Sequence, residues 1–314
     1  MSEVYIFGHK HPDNDSILSA VMLSQLYNQL DDGNHYVPKR LGGMPEESAA
    51  ILKSWDIPFP EYLDEIPAPA DGEEPQKVIL VDHNEEIQSV HGLANADVIG
   101  VVDHHRIANF STTKPIAFIT LPWGSTATIV LYLFHCYDIQ PTVAQLSCLL
   151  SAMMTDMVMM KSPTTTDIDR QLIQNIGEIL GLDPVDFGMN IFTNRATDKY
   201  EPEQMVAHDI KAFMINGKRV FIGQYETVDK SIALDRLPEL REAMEDFRRA
   251  KNADTVVLAV TDIMEEGSQI LMTGDKSVPE RGLGIKDVYE GVWMPGVLSR
   301  KKQIAAPILA AAEH

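Results

Sequence analysis

The stretch FGHKHPDNDS, residues 7–16, sets two histidines and two aspartates at alternate positions, His9, His11, Asp13 and Asp15, directly after an apolar run at residues 4–7. Two further apolar runs end in a similar way: residues 78–81 lead into Asp82-His83-Asn84, and residues 98–102 into Asp103-His104-His105. All three runs lack polar alternation and are rich in Val and Ile, the pattern of strands buried on both faces of a parallel sheet. In such a sheet the carboxyl ends of neighbouring strands share one edge, where ligands bind. Three strand ends therefore direct His9, Asp13, Asp15, Asp82, Asp103, His104 and His105 toward one crevice. So many carboxylates repel one another unless protons or cations offset the charge. Asp156 adds another from SAMMTDMVMMKSP, where an ionised group is costly to bury among methionines without a partner or a metal. An exposed position at the end of a buried helix is the plainer alternative for Asp156.

Imidazole and carboxylate donors without a thiolate suit Mn(II), Co(II) or Mg(II) rather than structural zinc. The donors outnumber what one ion needs, so a pair of ions bridged by shared carboxylates is expected. Two ions roughly 3.5–4 Å apart deprotonate a water while clamping a phosphoryl group. A cationic grip for such a group is available in SRKKQ, with Arg300, Lys301 and Lys302 in a row. Arg matches phosphate bidentately and Lys supplies a point charge. A solvated surface triplet is the plainer reading of those residues alone, and Lys211, in HDIKAF, carries little signal by itself.

The elements that position these groups alternate between strand and helix. Residues 16–29 carry apolar positions at helical spacing, with Asp15 or Ser16 available as a cap. Residues 125–137 and 142–154 read as largely buried helices. Residues 166–180 run from a Thr cap to Gly181, and 183–191 suit a short helix with Asp183 as cap and Pro184 at its first position. The polar, aperiodic FTNRATDKYEP that follows marks a boundary. Beyond it, 219–225, 255–260 and 269–273 are strand-like and 237–251 helix-like. The expected class is α/β: an N-terminal domain, residues 1–190, with a mostly parallel sheet flanked by helices, a linker at 191–196, and a smaller C-terminal α/β domain at 197–314. Residues 64–76, DEIPAPADGEEPQ, read as a Pro-rich acidic surface loop.

The 314 residues carry a formal charge of −20, unevenly divided. Residues 1–190 hold nine Lys and Arg against 26 Asp and Glu, whereas 191–314 hold 17 against 20. The acidic half suits hard cations and the other half an anion, and a chain of this charge repels nucleic acid. No run of about 18 apolar residues predicts a membrane span, and the start MSEVYIFGHK lacks a signal-peptide pattern. Cys136 and Cys148 lie in apolar stretches, as buried thiols in a reducing cytoplasm would.

Taken in order, GHKHPDNDS, VDHNE, VDHHRIANF, TDMVMMKSPT and SRKKQ resemble the motifs of the family II inorganic pyrophosphatases, the manganese-dependent branch of the DHH phosphoesterases. The resemblance spans nearly the whole chain. The DHH triplet is shared by several phosphoesterases, and the five motifs together are specific. The resemblance implies hydrolysis of pyrophosphate to two orthophosphates by a metal-bridging hydroxide, in a cytoplasmic homodimer. It implies two Mn(II) per subunit, with Co or Mg as substitutes and a further Mg accompanying the substrate. One metal would be held by His9, Asp13, Asp82 and Asp156, the other by Asp15, Asp82, His104 and Asp156, so that Asp82 and Asp156 bridge. His105, Lys211, Arg300 and Lys301 match phosphate-binding positions, and Asp82, Asp156 and His105 the catalytic ones. Asp103 fits a role steadying the histidines after it.

Two positions depart from the family pattern: His11 stands where members often have Asn, and Asn14 where Thr is common. No regulatory nucleotide-binding insert separates the DHH segment from Asp156, which points to the short form. One rival is an oligonucleotide or cyclic-dinucleotide phosphodiesterase of the same superfamily, usually marked by a GGGH-type motif where this chain has SRKK. Another is a metal or phosphate binder without activity. His35, His91, His135, His208 and His314 fit no cluster and are expected at surface or core positions.

Overall fold

The computed structural model describes residues 2–30, 33–194 and 200–312. Packing divides the chain into one unit of Met1–Met160 with Thr165–Ile191 and a second of Lys161–Thr164 with Phe192–His314. Of the expected linker 191–196, residues 191–194 end a helix, and 195–196 lie outside the described residues, as does His314.

The first unit contains β1 (Ser2–Phe7), α1 (Asn14–Tyr27), β2 (Asn34–Arg40), α2 (Glu46–Ser54), β3 (Glu61–Tyr62), β4 (Lys77–Val81), β5 (Asp97–Asp103), β6 (Ala117–Thr120), α3 (Thr126–Cys136), α4 (Val143–Asp156), α5 (Asp167–Leu180) and α6 (Pro184–Asn194). Its six strands lie in the order β3-β2-β1-β4-β5-β6, all pairs parallel. The order reverses between β1 and β4, and a doubly wound sheet binds ligands in the crevice at that point. The two strands flanking it are the ones that end at His9 and Asp82. On one face of the sheet Phe7, Val78, Leu80 and Val101 pack against Leu41, Ile66, Val90 and Leu93. Helix α1 is buried at nearly every position, from Asn14 to Leu26, against α3, α4 and the strands. Each buried Leu or Ile there contributes about 1.5–3 kcal/mol.

The three expected strands and the helices at α1 and α3 to α6 are present. The cap of α1 is corrected: Asp13, not Asp15 or Ser16, starts the helix, its Oδ1 accepting the Ser16 N–H at 2.9 Å. Gly8 explains the shift. A Cβ at Gly8 would stand 1.9 Å from Ser16 Oγ and 2.9 Å from the Ser16 carbonyl oxygen, so its absence lets the helix start against the strand end. Thr142 and Thr166 close capping boxes on α4 and α5, and Gly181 ends α5 in the left-handed region at φ 67°. Strands β2, β3 and β6 lack a sequence signal: β2 contains Pro38 and polar residues, β3 has two residues, and β6 is short at the sheet edge. Cys148 is buried, whereas Cys136 is exposed at the end of α3, contrary to expectation, because the last turn of that helix reaches solvent.

The second unit contains α7 (Pro202–Ala207), β7 (Ile210–Ile215), β8 (Lys218–Thr227), α8 (Ser231–Leu234), α9 (Leu237–Ala250), β9 (Thr255–Asp262), β10 (Gly267–Gly274), α10 (Ser277–Leu283), β11 (Val292–Pro295), a π-helical turn at Arg300–Ala305 and α11 (Ala306–Ala310). Its mixed sheet runs β11-β10-β9-β8-β7, with β8 and β9 the parallel pair. All eight residues of β9 are buried, and they alternate between two cores. Val256, Leu258 and Val260 meet Met205, Leu240 and Met244, while Val257 and Ala259 meet Ile304 and Ile308. Within this unit Lys161 Nζ donates to the Ile263 carbonyl and Lys302 Nζ to the Pro163 carbonyl, both at 3.0 Å. Among the described residues no helix is long and apolar enough to cross a membrane.

Candidate metal centre

The carboxyl ends of β1, β4 and β5, the first turn of α1 and the last residue of α4 bring the six expected metal ligands and His105 together. Three overlapping groups result, each with ligand atoms within 4.8 Å of one another: His9, Asp13 and Asp82; Asp15, His104 and Asp156; and Asp82, His104 and His105. Asp82 and His104 each belong to two groups. Asp156 falls in the group of Asp15 and His104, not in that of His9. Its side chain is 24% exposed, so the helix end carries it out of the methionine-lined interior toward the cluster.

The tautomers of two histidines are set by carbonyl oxygens. His9 Nδ1–H donates to the Lys10 carbonyl at 2.8 Å and His104 Nδ1–H to the Trp123 carbonyl at 3.1 Å. In the neutral ring each Nε2 then carries a lone pair. His9 Nε2 lies 3.3 Å from Asp82 Oδ2 and 3.4 Å from Asp13 Oδ2, and His104 Nε2 lies 3.4 Å from Asp82 Oδ1 and 3.7 Å from Asp156 Oδ2. Lone pairs facing carboxylate oxygens at these distances require a proton or a cation among them. The residues thus fit a divalent metal.

The carboxylates respond to the same crowding. Burial, with Asp82 and Asp156 nearby, pushes Asp15 well above the ordinary carboxylate range, against the opposing pull of His104. Burial also acts to raise Asp82, but hydrogen bonds with His104 and His9 and the charge of His105 outweigh it and hold Asp82 well below that range. A divalent cation held among these residues would take the place of protons there and relieve the repulsion at Asp15.

Around the donors stands a shell that the sequence did not single out. Asp15 receives the Thr126 N–H on Oδ2 at 2.7 Å, and the Ala127 N–H and Ser19 hydroxyl on Oδ1 at 2.9 and 3.0 Å. The first turn of α3 thus presents its amides to a carboxylate 111 residues earlier in the chain. Thr126 Oγ1 also donates to Asp82 Oδ1 at 3.0 Å. The cap signature GSTA ahead of an apolar run was the available signal, but its partner was not. Asp82 itself has a left-handed backbone, φ 58°, which Asp tolerates better than most residues. Asn14, one of the two departures, is buried between hydroxyls: it donates to Ser151 and Thr155 at 3.0 and 3.1 Å and accepts from Ser48 at 2.8 Å, tying α1 to α4 and α2. His11, the other, is exposed at φ 54°, a conformation that Asn and His both tolerate.

Asp103 lies behind His105 only. Its Oδ1 accepts the His105 N–H and Nδ1–H at 2.9 and 2.8 Å, and its Oδ2 accepts from Asn84 at 2.7 Å. Burial opposes the charge on Asp103, but His105 holds it well below the usual range. His83 is outside all three groups: burial pushes its imidazole down to about 4, and its Nδ1–H goes to the Val81 carbonyl. His35, His91 and His135 are exposed and His208 is half-buried.

Of the expected anion-binding residues, His105 lies in the first unit beside Asp103 and the other three lie in the second. Lys211 is the second residue of β7, Arg300 and Lys301 open the π-helical turn, and Ser299 caps that turn through the Lys302 N–H. Arg300 Nη1 donates to the Asp209 carbonyl oxygen at 2.7 Å and to its Oδ1 at 2.5 Å. Although burial works against it, the charges of Arg300 and Lys211 hold Asp209 down at about 2. The Gln224 side chain accepts the Arg300 N–H at 3.1 Å and Gln303 accepts those of Leu298 and Ser299, so amide side chains set the backbone of the turn.

Residues 3–159 match the family model of the DHH family, N-terminal domain, and residues 191–312 that of the DHHA2 domain. The manganese-dependent inorganic pyrophosphatase of Methanocaldococcus jannaschii is 36% identical over 97% of each chain. A Lactobacillus acidophilus protein assigned to the manganese-dependent inorganic pyrophosphatases is 36% identical over 98% of each. The crystal structure of a Methanococcus jannaschii protein assigned to the family II inorganic pyrophosphatases superposes with a TM-score of 0.87 at 33% identity, covering 99% of this chain and all of that one. With its metal-ligand groups gathered at the switch point of a DHH-type sheet and this similarity along its whole length, the chain belongs to the family II, manganese-dependent inorganic pyrophosphatases.

Proposed function

We propose that the chain hydrolyses inorganic pyrophosphate to two orthophosphates with two Mn(II) per subunit. The observation that carries the reading is the three interlocking His and Asp groups at one sheet edge, in a member of this family. A pair of divalent ions held there lowers the pKa of a water and neutralises phosphoryl charge. His9 and Asp13 would hold one ion, Asp15 and His104 the other, with Asp82 and Asp156 shared. Asp103 fixes the ring of His105, which would meet a phosphoryl oxygen. In the C-terminal part, residues 197–314, Lys211, Arg300 and Lys301 would grip the substrate. Asp209 takes up Nη1 of Arg300 and orients the planar fork, leaving Nε and Nη2 to donate to phosphate. The reading carries with it a homodimer and a cytoplasmic location, the latter supported by two free cysteines.

Phosphate release from pyrophosphate by chelator-stripped chain, with Mn, Co, Mg and Zn added back separately, tests the reading. Activity restored best by Mn supports it. Cleavage of an oligonucleotide or cyclic dinucleotide in preference to pyrophosphate would favour the phosphodiesterase rival, and Mn uptake without phosphate release the binder. Asp156→Asn should abolish hydrolysis with the fold retained, and near-normal turnover would refute the shared role of Asp156.

A further inference from the structure

Asp169, at the start of α5, is a fully buried carboxylate, and among the described residues no Lys or Arg pairs with it. An isolated buried anion is costly, so its place must be supported by donors. Four are present. Oδ2 accepts the Gly124 N–H at 2.9 Å, the Thr166 N–H at 2.8 Å and the Thr166 hydroxyl at 2.6 Å, while Oδ1 accepts the Thr128 hydroxyl at 2.7 Å. Thr166, the N-cap of α5, needs only a capping-box partner at N3, which Glu or Gln would supply as well. The other two donors belong to the start of α3, 41 to 45 residues away in sequence.

That start is the turn that grips the metal donors. Thr128 Oγ1 lies 3.0 Å from Ser125 Oγ, which caps α3, and the next residues, Thr126 and Ala127, hold Asp15 and Asp82. Gly124 leaves no alternative to this approach: a Cβ there would stand 2.2 Å from Met157 Sδ and 2.9 Å from Asp169 Oδ2. Met157 directly follows Asp156. After it come three consecutive residues in the left-handed region, Val158, Met159 and Met160 at φ 49°, 53° and 63°, none of them glycine. Such backbone persists only where its surroundings over-determine it, and it clusters at functional sites. One carboxylate thus fastens the α3 side of the cluster to the segment that returns from its α4 side.

We propose that Asp169 is a positioning residue for the metal centre, setting the α3 amides and Thr126 against Asp15 and Asp82. The inference rests on the metal-site reading above and concerns ion uptake, not turnover. Metal-stripped full-length chain is titrated with Mn(II) alone, at a temperature where each variant has wild-type circular dichroism. Asp169→Ala should bind Mn(II) at least about tenfold more weakly, the scale of losing a support behind metal ligands. Ile173→Ala, on the same helix and buried in the core, serves as a destabilised control and should keep its affinity within about twofold. If Asp169→Ala does not fold, Thr128→Val removes the Oδ1 donor, together with the hydroxyl contact to Ser125, and should weaken binding about threefold. Wild-type affinity in the Asp169 variant, or in Thr128→Val where that variant stands in for it, overturns the inference, as does an equal loss in Ile173→Ala. Absence of Mn(II) uptake by the wild-type chain would overturn the metal-site reading as well.

Discussion

Thr126 offers the sharpest test of how the protein holds its metal donors. Its side chain is fully buried, and its hydroxyl gives one hydrogen bond, to Asp82 Oδ1 at 3.0 Å, while its backbone N–H holds Asp15. Thr126→Val exchanges the hydroxyl for a methyl of similar size, so the backbone bond and the packing survive and the Asp82 bond alone is lost. A hydrogen bond to a charged group contributes about 1.5–3 kcal/mol. At about 1.4 kcal/mol per factor of ten, that range spans about 10- to 150-fold in affinity. Part of that value is kept whether or not a cation is bound, because Asp82 also faces His104 Nε2 at 3.4 Å and His105 Nδ1 at 3.5 Å. The lower part of the range is therefore expected, about 10- to 30-fold weaker Mn(II) binding. Calorimetric titration of metal-stripped protein measures it. Thr126→Ser, which keeps the hydroxyl, should stay within about threefold of wild type. Wild-type affinity in Thr126→Val, or an equal loss in Thr126→Ser, would refute the argument that the hydroxyl orients Asp82.

Gly8→Ala should lower stability by about 1–3 kcal/mol or more, since its Cβ meets the Ser16 backbone as well as its side chain; an unchanged urea midpoint would contradict this. Removing Mn(II) with chelator should lower the melting temperature, because at about a hundredfold excess over Kd a ligand bound only by the folded state adds about 2.7 kcal/mol; identical melting curves with and without chelator would speak against the metal site. Acid should weaken the second unit through Asp209. Its folded pKa of about 2 lies below the ordinary value of about 3.9, so its contribution is present above pH 4 or so and is lost as pH falls toward 2. Arg300, Lys211 and His208 are the charged groups acting on it, and Asp209→Asn should flatten that limb of the stability curve. A variant that still steepens between pH 4 and 2 as the wild type does would exclude Asp209 as the cause.

The strands ending at His9, Asp82 and Asp103 were legible because a strand buried on both faces must be an uninterrupted apolar run, and the polar residues that interrupt such a run mark its end. The caps at Thr166 and Gly181 were legible for a related reason: they satisfy backbone groups within a few residues of themselves. Those local rules, with the cost of burying Asp156 among methionines, pointed to every residue of the three groups. They did not reach the strand order that places β1 beside β4, the edge strands with no apolar run, or the choice of Asp13 over Asp15 as the α1 cap. That choice follows from how closely Gly8 lets the helix approach. Nor did they reveal that Asp15 is held by amides of α3, that Thr126 supports Asp82, or that Asp169 is buried beneath both. Composition and spacing act over a turn or a strand, and so they determined which side chains are able to bind metal. Which backbone amides and hydroxyls face those side chains was decided by packing between segments far apart in sequence, and only the folded chain brings them within hydrogen-bonding distance.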